Sequence, residues 1–346
     1  MVSEQSGGGM KQAILVTGGA GYIGSHTALY LMQCGYQVIV LDHAQPKFIN
    51  NQIVYYTADF ADRKVLHEIF STYTIHAVMH CAAFIEVGES VKAPYKYYDN
   101  NVVKTMRLLE VMLDHDIKKF IFSSSCAIYG MPQFLPLTEE HPKNPISPYG
   151  KNKYMVEMIL EDFAHAYGMH YVALRYFNAA GAMLEYGLGE LHEPESHIIP
   201  LALRAAYAGT PFTVFGSNYP TPDGTCIRDY LHVWDLARAH HAALEYLNQG
   251  GASVACNLGT ATGFSVYNIL QSIENITQLP LLKVIAEPRL GDPSVLIADA
   301  SKAHQKLDWK PQNSSLDTII TSAHEFYRAQ QSQTITHPES VSTCFL

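Results

Sequence analysis
Eight residues near the start of the chain, Thr17-Gly18-Gly19-Ala20-Gly21-Tyr22-Ile23-Gly24, restrict its possible folds more than any other stretch. They follow the apolar run Ala13–Val16 directly and open a segment with helical spacing, Tyr22–Cys34. Gly18, Gly21 and Gly24 form a G-x-x-G-x-x-G pattern. Glycine at such positions permits a tight turn, lets the backbone approach a pyrophosphate and allows a helix to pack closely on the preceding strand. The N-terminus of that helix offers free N–H groups and a positive dipole end to phosphate. Asp42 ends the second apolar run, 18 residues beyond Gly24. That is near the spacing at which a carboxylate binds adenosine ribose hydroxyls. A carboxylate there repels a 2′-phosphate, and His43 rather than Arg follows it, so the cofactor expected is NAD and not NADP. Asp59, after the third run, is a candidate adenine contact.

The rhythm of the chain agrees with this. Ala13–Val16, Val38–Leu41, Ile53–Tyr56, Ala77–His80, Phe120–Ser123 and Tyr171–Arg175 are short apolar or β-branched runs. Between them, Tyr22–Cys34, Asp62–Tyr73, Tyr97–His115 and Tyr149–Tyr167 carry helical spacing. Strands alternating with helices predict an α/β fold with a doubly wound, Rossmann-like parallel sheet covered on both faces. After Asn178 glycine and proline become frequent and the strands shorten, which predicts a second, smaller mixed α/β lobe. The expected organisation is a flexible extension at 1–10, an NAD-binding domain at 11–180, a lobe mainly for substrate at 181–329 and a flexible tail at 330–346.

Composition removes several function classes. Lys plus Arg total 23 against 32 Asp plus Glu, a net charge of −9, which is not the footprint of a nucleic-acid binder. No apolar run approaches the roughly 18 residues of a membrane span. Met1–Gly9 lacks a basic region followed by an apolar one, so it does not read as a secretory leader. Cys344 stands third from the end, where a prenylation box needs it fourth. The 6 cysteines form no C-x-x-C pair and mostly sit in apolar patterns, which reads as free thiols in a reducing, cytoplasmic setting. The 17 histidines raise the question of metal, but His192-Glu193-Pro194-Glu195-Ser196-His197 has the wrong spacing for a zinc helix, and Pro194 breaks a helix. No metal is expected.

A second motif carries chemistry. Ser123-Ser124-Ser125 ends a strand at the carboxyl edge, where α/β sheets bind ligands. Tyr149-Gly150-Lys151-Asn152-Lys153 opens a helix after Pro145 and Pro148. Tyr149 and Lys153 are four apart and share one helix face. An ammonium near a phenol stabilises the phenolate, and a bound nicotinamide cation adds to that. A tyrosinate then takes the proton of an alcohol while hydride leaves the same carbon, with a serine hydroxyl sharing the hydrogen bond.

Together with Val87-Gly-Glu-Ser90, Tyr98-Asp-Asn-Asn101 and Ser147-Pro-Tyr-Gly-Lys151, these motifs resemble the extended short-chain dehydrogenase/reductases. Arg175-Tyr-Phe-Asn178 and Asp223-Gly-Thr-Cys-Ile-Arg-Asp-Tyr230 narrow the resemblance to the UDP-glucose (UDP-galactose) 4-epimerases, over about Lys11 to Tyr327. The resemblance implies a bound NAD, Ser125, Tyr149 and Lys153 as the catalytic set, and a homodimer built on two long helices. Further cofactor contacts are implied at Tyr22, Ile23, Phe60, Cys81, Ala82, Ala83, Asn100 and Tyr176. The UDP-sugar is expected on Asn178, His197, Ile198, Phe215, Arg228, Arg289, Asp292 and Leu296. Arginines pair with diphosphate oxygens, an aromatic stacks on uracil, and Asp292 accepts from sugar hydroxyls. Relatives commonly have Asn-Leu where this chain has His43-Ala44, Asn where it has His197, and in some cases Lys where it has Ile85.

Two alternatives stay open on sequence alone. One is another NAD-dependent nucleotide-sugar epimerase or decarboxylase, for example acting on UDP-uronates. The other is a non-catalytic NAD-sensing protein of the same fold, against which Tyr149 and Lys153 both speak. Nucleotide-sugar 4,6-dehydratases need an Asp-Glu pair just after the position of Ser125, and Cys126-Ala127 cannot supply that acid.

Overall fold
The computed structural model describes residues 12–289 and 291–336. The extension at 1–10 and the end of the tail lie outside the described residues. Seven parallel strands make the main sheet, in the order β3-β2-β1-β4-β5-β6-β10. They are β1 (Ala13–Thr17), β2 (Gln37–Asp42), β3 (Ile53–Thr57), β4 (Ile75–His80), β5 (Lys119–Ser125), β6 (His170–Tyr176) and β10 (Val254–Leu258). The strand side chains alternate between two cores, as a period of two requires. Ile14, Val16, Val38 and Val40 face one. Ala13, Leu15, Ile39 and Leu41 face the other. Helices α1 (Tyr22–Gln33) and α8 (Val233–Asn248) pack together over the first core. Helices α2 (Arg63–Thr72), α5 (Lys104–Asp114) and α6 (Pro148–Tyr167) cover the second. Burial on both faces is what the unbroken apolar runs encode.

The chain order reverses at β1, which sends the chain to β2 on one side and has β4 on the other. Thr17 is in register with Leu41 and with His80, so the carboxyl ends of three strands line up around that switch point. A crevice outside such ends is where open α/β sheets bind ligands.

After β4 come α3 (Val87–Lys92) and α4 (Pro94–Tyr98), and α4 runs into α5 through a widened π turn at Asp99–Val103. The turn presents Asn101, which accepts from the Phe84 N–H at 2.9 Å and donates to the Phe84 carbonyl at 3.0 Å. That amide pins the loop leaving β4. Helix α6 starts where Ser147 accepts from the Gly150 N–H at 3.1 Å, with Pro148 in its first turn, and stops at left-handed Gly168.

The smaller part contains β7 (Asn178–Ala180), α7 (Ile198–Ala208), β8 (Phe212–Phe215), β9 (Ile227–His232), β11 (Gly263–Ser265), α9 (Val266–Thr277), β12 (Lys283–Ala286), β13 (Val295–Leu296), α10 (Ser301–Leu307) and α11 (Leu316–Thr336). β9 is its organising strand, pairing β7, β11 and β13. Two boundaries differ from expectation. α8 and β10 lie in the half assigned to the second lobe but complete the first, because the apolar face of α1 and the edge of β6 both need cover. Helix α11 continues to Thr336, past Gln330 where the tail was expected to begin, and as a whole it packs on α7 and α9.

A buried polar network joins β5, β6, α6 and β10. Arg175 donates to Glu157 through Nε at 3.0 Å and Nη2 at 2.5 Å, and through Nη1 to the Tyr129 hydroxyl at 3.0 Å. Ser124 donates to Glu157 at 2.5 Å, and Tyr129 donates to Asn257 at 2.5 Å. Removing one partner strands the other charge in the core. Arg175→Met should therefore cost about 3–5 kcal/mol, and pairing it with Glu157→Leu should recover a large part of that. Urea unfolding of the two variants beside the parent checks both.

Candidate active site
The glycine turn shapes the floor of the crevice. Gly18 has φ +73°, and a Cβ there would fall 2.5 Å from the Ala82 backbone nitrogen. A Cβ on Gly24 would fall 2.1 Å from the Gly18 carbonyl oxygen. Only glycine fits at these two points, so backbone stands where side chains would otherwise block a ligand. Gly21 caps α1 without any side-chain hydrogen bond, leaving the first N–H groups of the helix to a ligand. Asp42 is buried and accepts from the Ala20 N–H at 3.0 Å and the Ala44 N–H at 2.9 Å, which orients its carboxylate beside the turn. This cradle fits a dinucleotide.

One cavity of about 430 Å³ runs from the turn across the strand ends into the smaller part. Gly18, Gly21, Tyr22, Ile23, Gly24, Cys81, Ala83 and Tyr176 line it on the cofactor side. Asn178, His197, Asp292 and Leu296 line it on the other, with Ser125, Tyr149 and Lys153 between them. Sequence reasoning passed over Ile146, Phe177 and Gly291, which also line it. Each is next to or close to a residue that was singled out, and adjacency is the only signal that could have found it.

Most of the remaining candidates are not among the residues that line the cavity. Ala82 supports Gly18 from below. Asp59 accepts from the Ala61 N–H at 2.9 Å and pairs with Lys104. Phe60 is buried with its ring edge-on to His80, 5.1 Å between centroids. Asn100 donates to Asn101 at 3.0 Å, so the buried amide of that pair is Asn101. Ile198 opens α7. Arg228 pairs with Asp292 and donates to its neighbour's carbonyl at 2.7 Å. The Arg289 guanidinium stacks 4.3 Å over the Phe215 ring. Asn178 donates to the Asp229 carbonyl at 2.8 Å. Leu296 is held beside Arg228 by the β13–β9 pairing and packs on the small core of Ile128, Tyr129 and Leu137.

The electrostatics of the trio are set by burial. Tyr149 is 8% exposed, and desolvation pushes its phenol up to about 12, opposed by its hydrogen bond with Ser125. Lys153 is 4% exposed, and desolvation brings its ammonium down to about 8, opposed by Cys81 and Glu157. Its Nζ donates to the Ser123 carbonyl at 2.7 Å and lies 4.9 Å from the Phe122 ring centroid and 5.8 Å from that of Tyr149. The sequence reading expected Lys153 to draw the phenol down. In the protein alone burial dominates, and the group that opposes it is the Ser125 hydroxyl.

The 190–197 stretch is not helical, yet it gathers Glu190, His192, Glu195 and His197 into one cluster that helical spacing rules do not describe. Against burial, His192 and His197 together lower the Glu190 carboxyl, and Glu190 in turn raises the His197 imidazole.

Comparison with known proteins now has a geometry to meet. The sequence model of the NAD dependent epimerase/dehydratase family matches residues 14–259. The UDP-glucose 4-epimerase of Halalkalibacterium halodurans is 46% identical over 334 residues, covering 96% of this chain and 98% of that protein. That of Rhizobium meliloti is 49% identical over 303 residues, covering 86% and 92%. Among solved structures, UDP-glucose 4-epimerase from Brucella ovis in complex with NAD aligns with a TM-score of 0.87 at 45% identity, covering 91% of this chain and 98% of that one. The Bifidobacterium longum enzyme in complex with NAD⁺ and UDP aligns with a TM-score of 0.87 at 37% identity, covering 92% and 99%. A match across most of the chain, on a fold that brings Tyr149 and Lys153 to the glycine turn, means that the chain belongs to the NAD dependent epimerase/dehydratase family.

Proposed function
We propose that this protein is an isomerase that interconverts UDP-glucose and UDP-galactose at the sugar C4, with tightly bound NAD and a transient 4-keto sugar. The observation that carries the reading is the convergence of Ser125, Tyr149 and Lys153 on one cavity between the glycine turn and the residues assigned to the nucleotide sugar. When bound, NAD supplies the acceptor and then the donor of the C4 hydride. Tyr149 takes the proton of the 4-hydroxyl as hydride leaves that carbon, and returns it when hydride comes back to the other face of the keto sugar. Ser125 shares the hydrogen bond at that oxygen. Lys153, with its pKa near 8, is largely cationic at neutral pH and favours the phenolate. The reaction has no net redox change, so the cofactor is regenerated in each turnover. Cys126 and Ala127 give no acid for eliminating water, which disfavours a dehydratase.

The nucleotide is assigned to the Arg289–Phe215 stack and to Arg228, whose pair with Asp292 must open or widen to admit diphosphate oxygens. The same reading makes the protein a homodimer. Val103 and Met106 on the turn leading into α5 and on α5 itself, and Met155 and Met158 on α6, leave apolar surface exposed that a second copy would cover. Among the described residues, five cysteines are free and no helix is long and apolar enough to cross a membrane, and a cytoplasmic setting fits both.

The first test is conversion of UDP-galactose to UDP-glucose by the purified protein without added NAD. Tyr149→Phe should lose on the order of 10²–10⁴-fold in that assay. Near-normal turnover would remove Tyr149 from the chemistry.

The second concerns pH. The phenolate is the base; burial raises its pKa to about 12, and a cation held close to it would lower it. Lys153→Met keeps a good helix former but removes the cation. Its rate profile should move to higher pH, with a far larger loss at pH 7 than at alkaline pH. An unmoved profile with only a raised KM would mean that Lys153 binds substrate and does not tune Tyr149.

The third concerns substrate breadth. Leu296 offers space beside the sugar but no partner for an acetamido N–H, whose burial unpaired costs about 1–3 kcal/mol. Weaker but measurable activity on UDP-N-acetylhexosamines is expected, rising in Leu296→Ser and vanishing in Leu296→Tyr. Comparing kcat/KM on both substrate pairs across the three proteins checks whether this wall sets the discrimination.

A further inference from the structure
A second group of chemically capable side chains lies at the rim of the same cavity and has no chemical step assigned to it, although one member, His197, is also an expected substrate contact. Glu190, His192, Glu195 and His197 each offer one ligand atom, and the four atoms lie within 4.8 Å of one another. Tetrahedral zinc, with bonds of about 2.0–2.2 Å, holds its donors roughly 3.3–3.6 Å apart. The four atoms therefore reach a common ion when the more distant pairs close up by about an ångström and the hydrogen-bonded His197–Glu190 pair parts to make room for it. Two imidazoles and two carboxylates suit a first-row divalent cation, whereas Ca²⁺ and Mg²⁺ take oxygen ligands. The two carboxylates also neutralise the ion's charge.

An independent observation comes from Glu195. Its side chain is 1% exposed. One oxygen accepts from the N–H groups of Ser196 at 2.8 Å and His197 at 2.9 Å, while the other, Oε2, is buried without a hydrogen-bond partner. His192 Nδ1 is likewise buried with no hydrogen bond, although Glu190 Oε1 is 3.1 Å away. Buried polar atoms are paired as a rule, and an unpaired carboxylate oxygen is costly. The contact between His197 and Glu190 satisfies neither of these two atoms. A cation taken up among the four groups, with Glu195 turned to present Oε2, would satisfy both.

We propose that Glu190, His192, Glu195 and His197 form a closed four-ligand site for Zn²⁺ or a similar divalent transition-metal ion. Four protein donors leave no open position, so the ion is structural. His192 and His197 line the cavity, and the ion fixes that wall in place. The inference stands apart from the assignment of the reaction.

The experiment uses the full-length protein, stripped with a chelator, dialysed, and titrated with Zn²⁺ alone or with Co²⁺ as a spectroscopic substitute. Expected are one Zn²⁺ per chain by elemental analysis, a rise in melting temperature, and Co²⁺ bands of tetrahedral intensity without a thiolate charge-transfer band. Glu195→Gln and His192→Ala should each weaken Zn²⁺ binding at least 100-fold while keeping the parent's circular dichroism. Absence of stoichiometric uptake overturns the site. So does uptake unchanged in both variants, or a strong thiolate band, which would put the ion on cysteine. The Co²⁺ spectrum of the unaltered protein decides the ligand type even if a variant fails to fold.

Discussion
The close approach of two backbones, at Gly18 and Ala82, is the constraint on which the site depends. Without a Cβ at Gly18 the ends of β1 and β4 can come together, and the turn between β1 and α1 folds back over the strand ends. Everything else is placed relative to that edge. On β5 it is Phe122 that stands level with His80 and Thr17, and the strand runs on three residues to Ser125; α6 starts under the control of Ser147 and Pro148, which fixes Tyr149 in its first turn. The buried Glu157–Arg175 pair then locks α6 to β5 and β6 one turn behind Lys153. Chemistry needs its groups within a fraction of an ångström, and this site is assembled on strand ends and a helix start.

The trio is built in an environment that disfavours charge on either partner. A phenol lifted to about 12 and an ammonium lowered to about 8 are both answers to the same desolvation. Such a site is poised, because a cationic ligand ring arriving beside the phenol supplies charge that the protein withholds. Burial also strengthens that interaction, since little water remains to screen it.

Much of this was legible in the sequence. Gly18, Gly24 and Asp42 could be read because glycine at a strand–helix junction and an acid at the next strand end have few other uses. Tyr149 and Lys153 could be read from their spacing on one helix face. The hold of Asn101 on the loop after β4 could not, since it depends on a π turn that a helical pattern does not announce. Nor could the Glu190–His197 cluster, because donors in a non-helical stretch meet through backbone turns that leave no periodic trace. The reach of the first domain was missed for a different reason. Strand β10 is apolar like its neighbours, and only the unmet needs of α1 and β6 say which sheet it joins.

That late strand has a consequence for biosynthesis. β6 is complete at Tyr176, but β10 and α8, which close its edge and cover α1, are encoded between Val233 and Leu258. At translation rates of about 5–20 residues per second, the roughly 80 residues between β6 and the end of β10 take on the order of 4–16 s to emerge. For that interval the nascent sheet presents an unpaired parallel edge and an uncovered apolar helix face, the surfaces on which chains aggregate. The vulnerable moment in the life of this protein thus falls on the ribosome, and the chaperones that bind nascent chains meet it there.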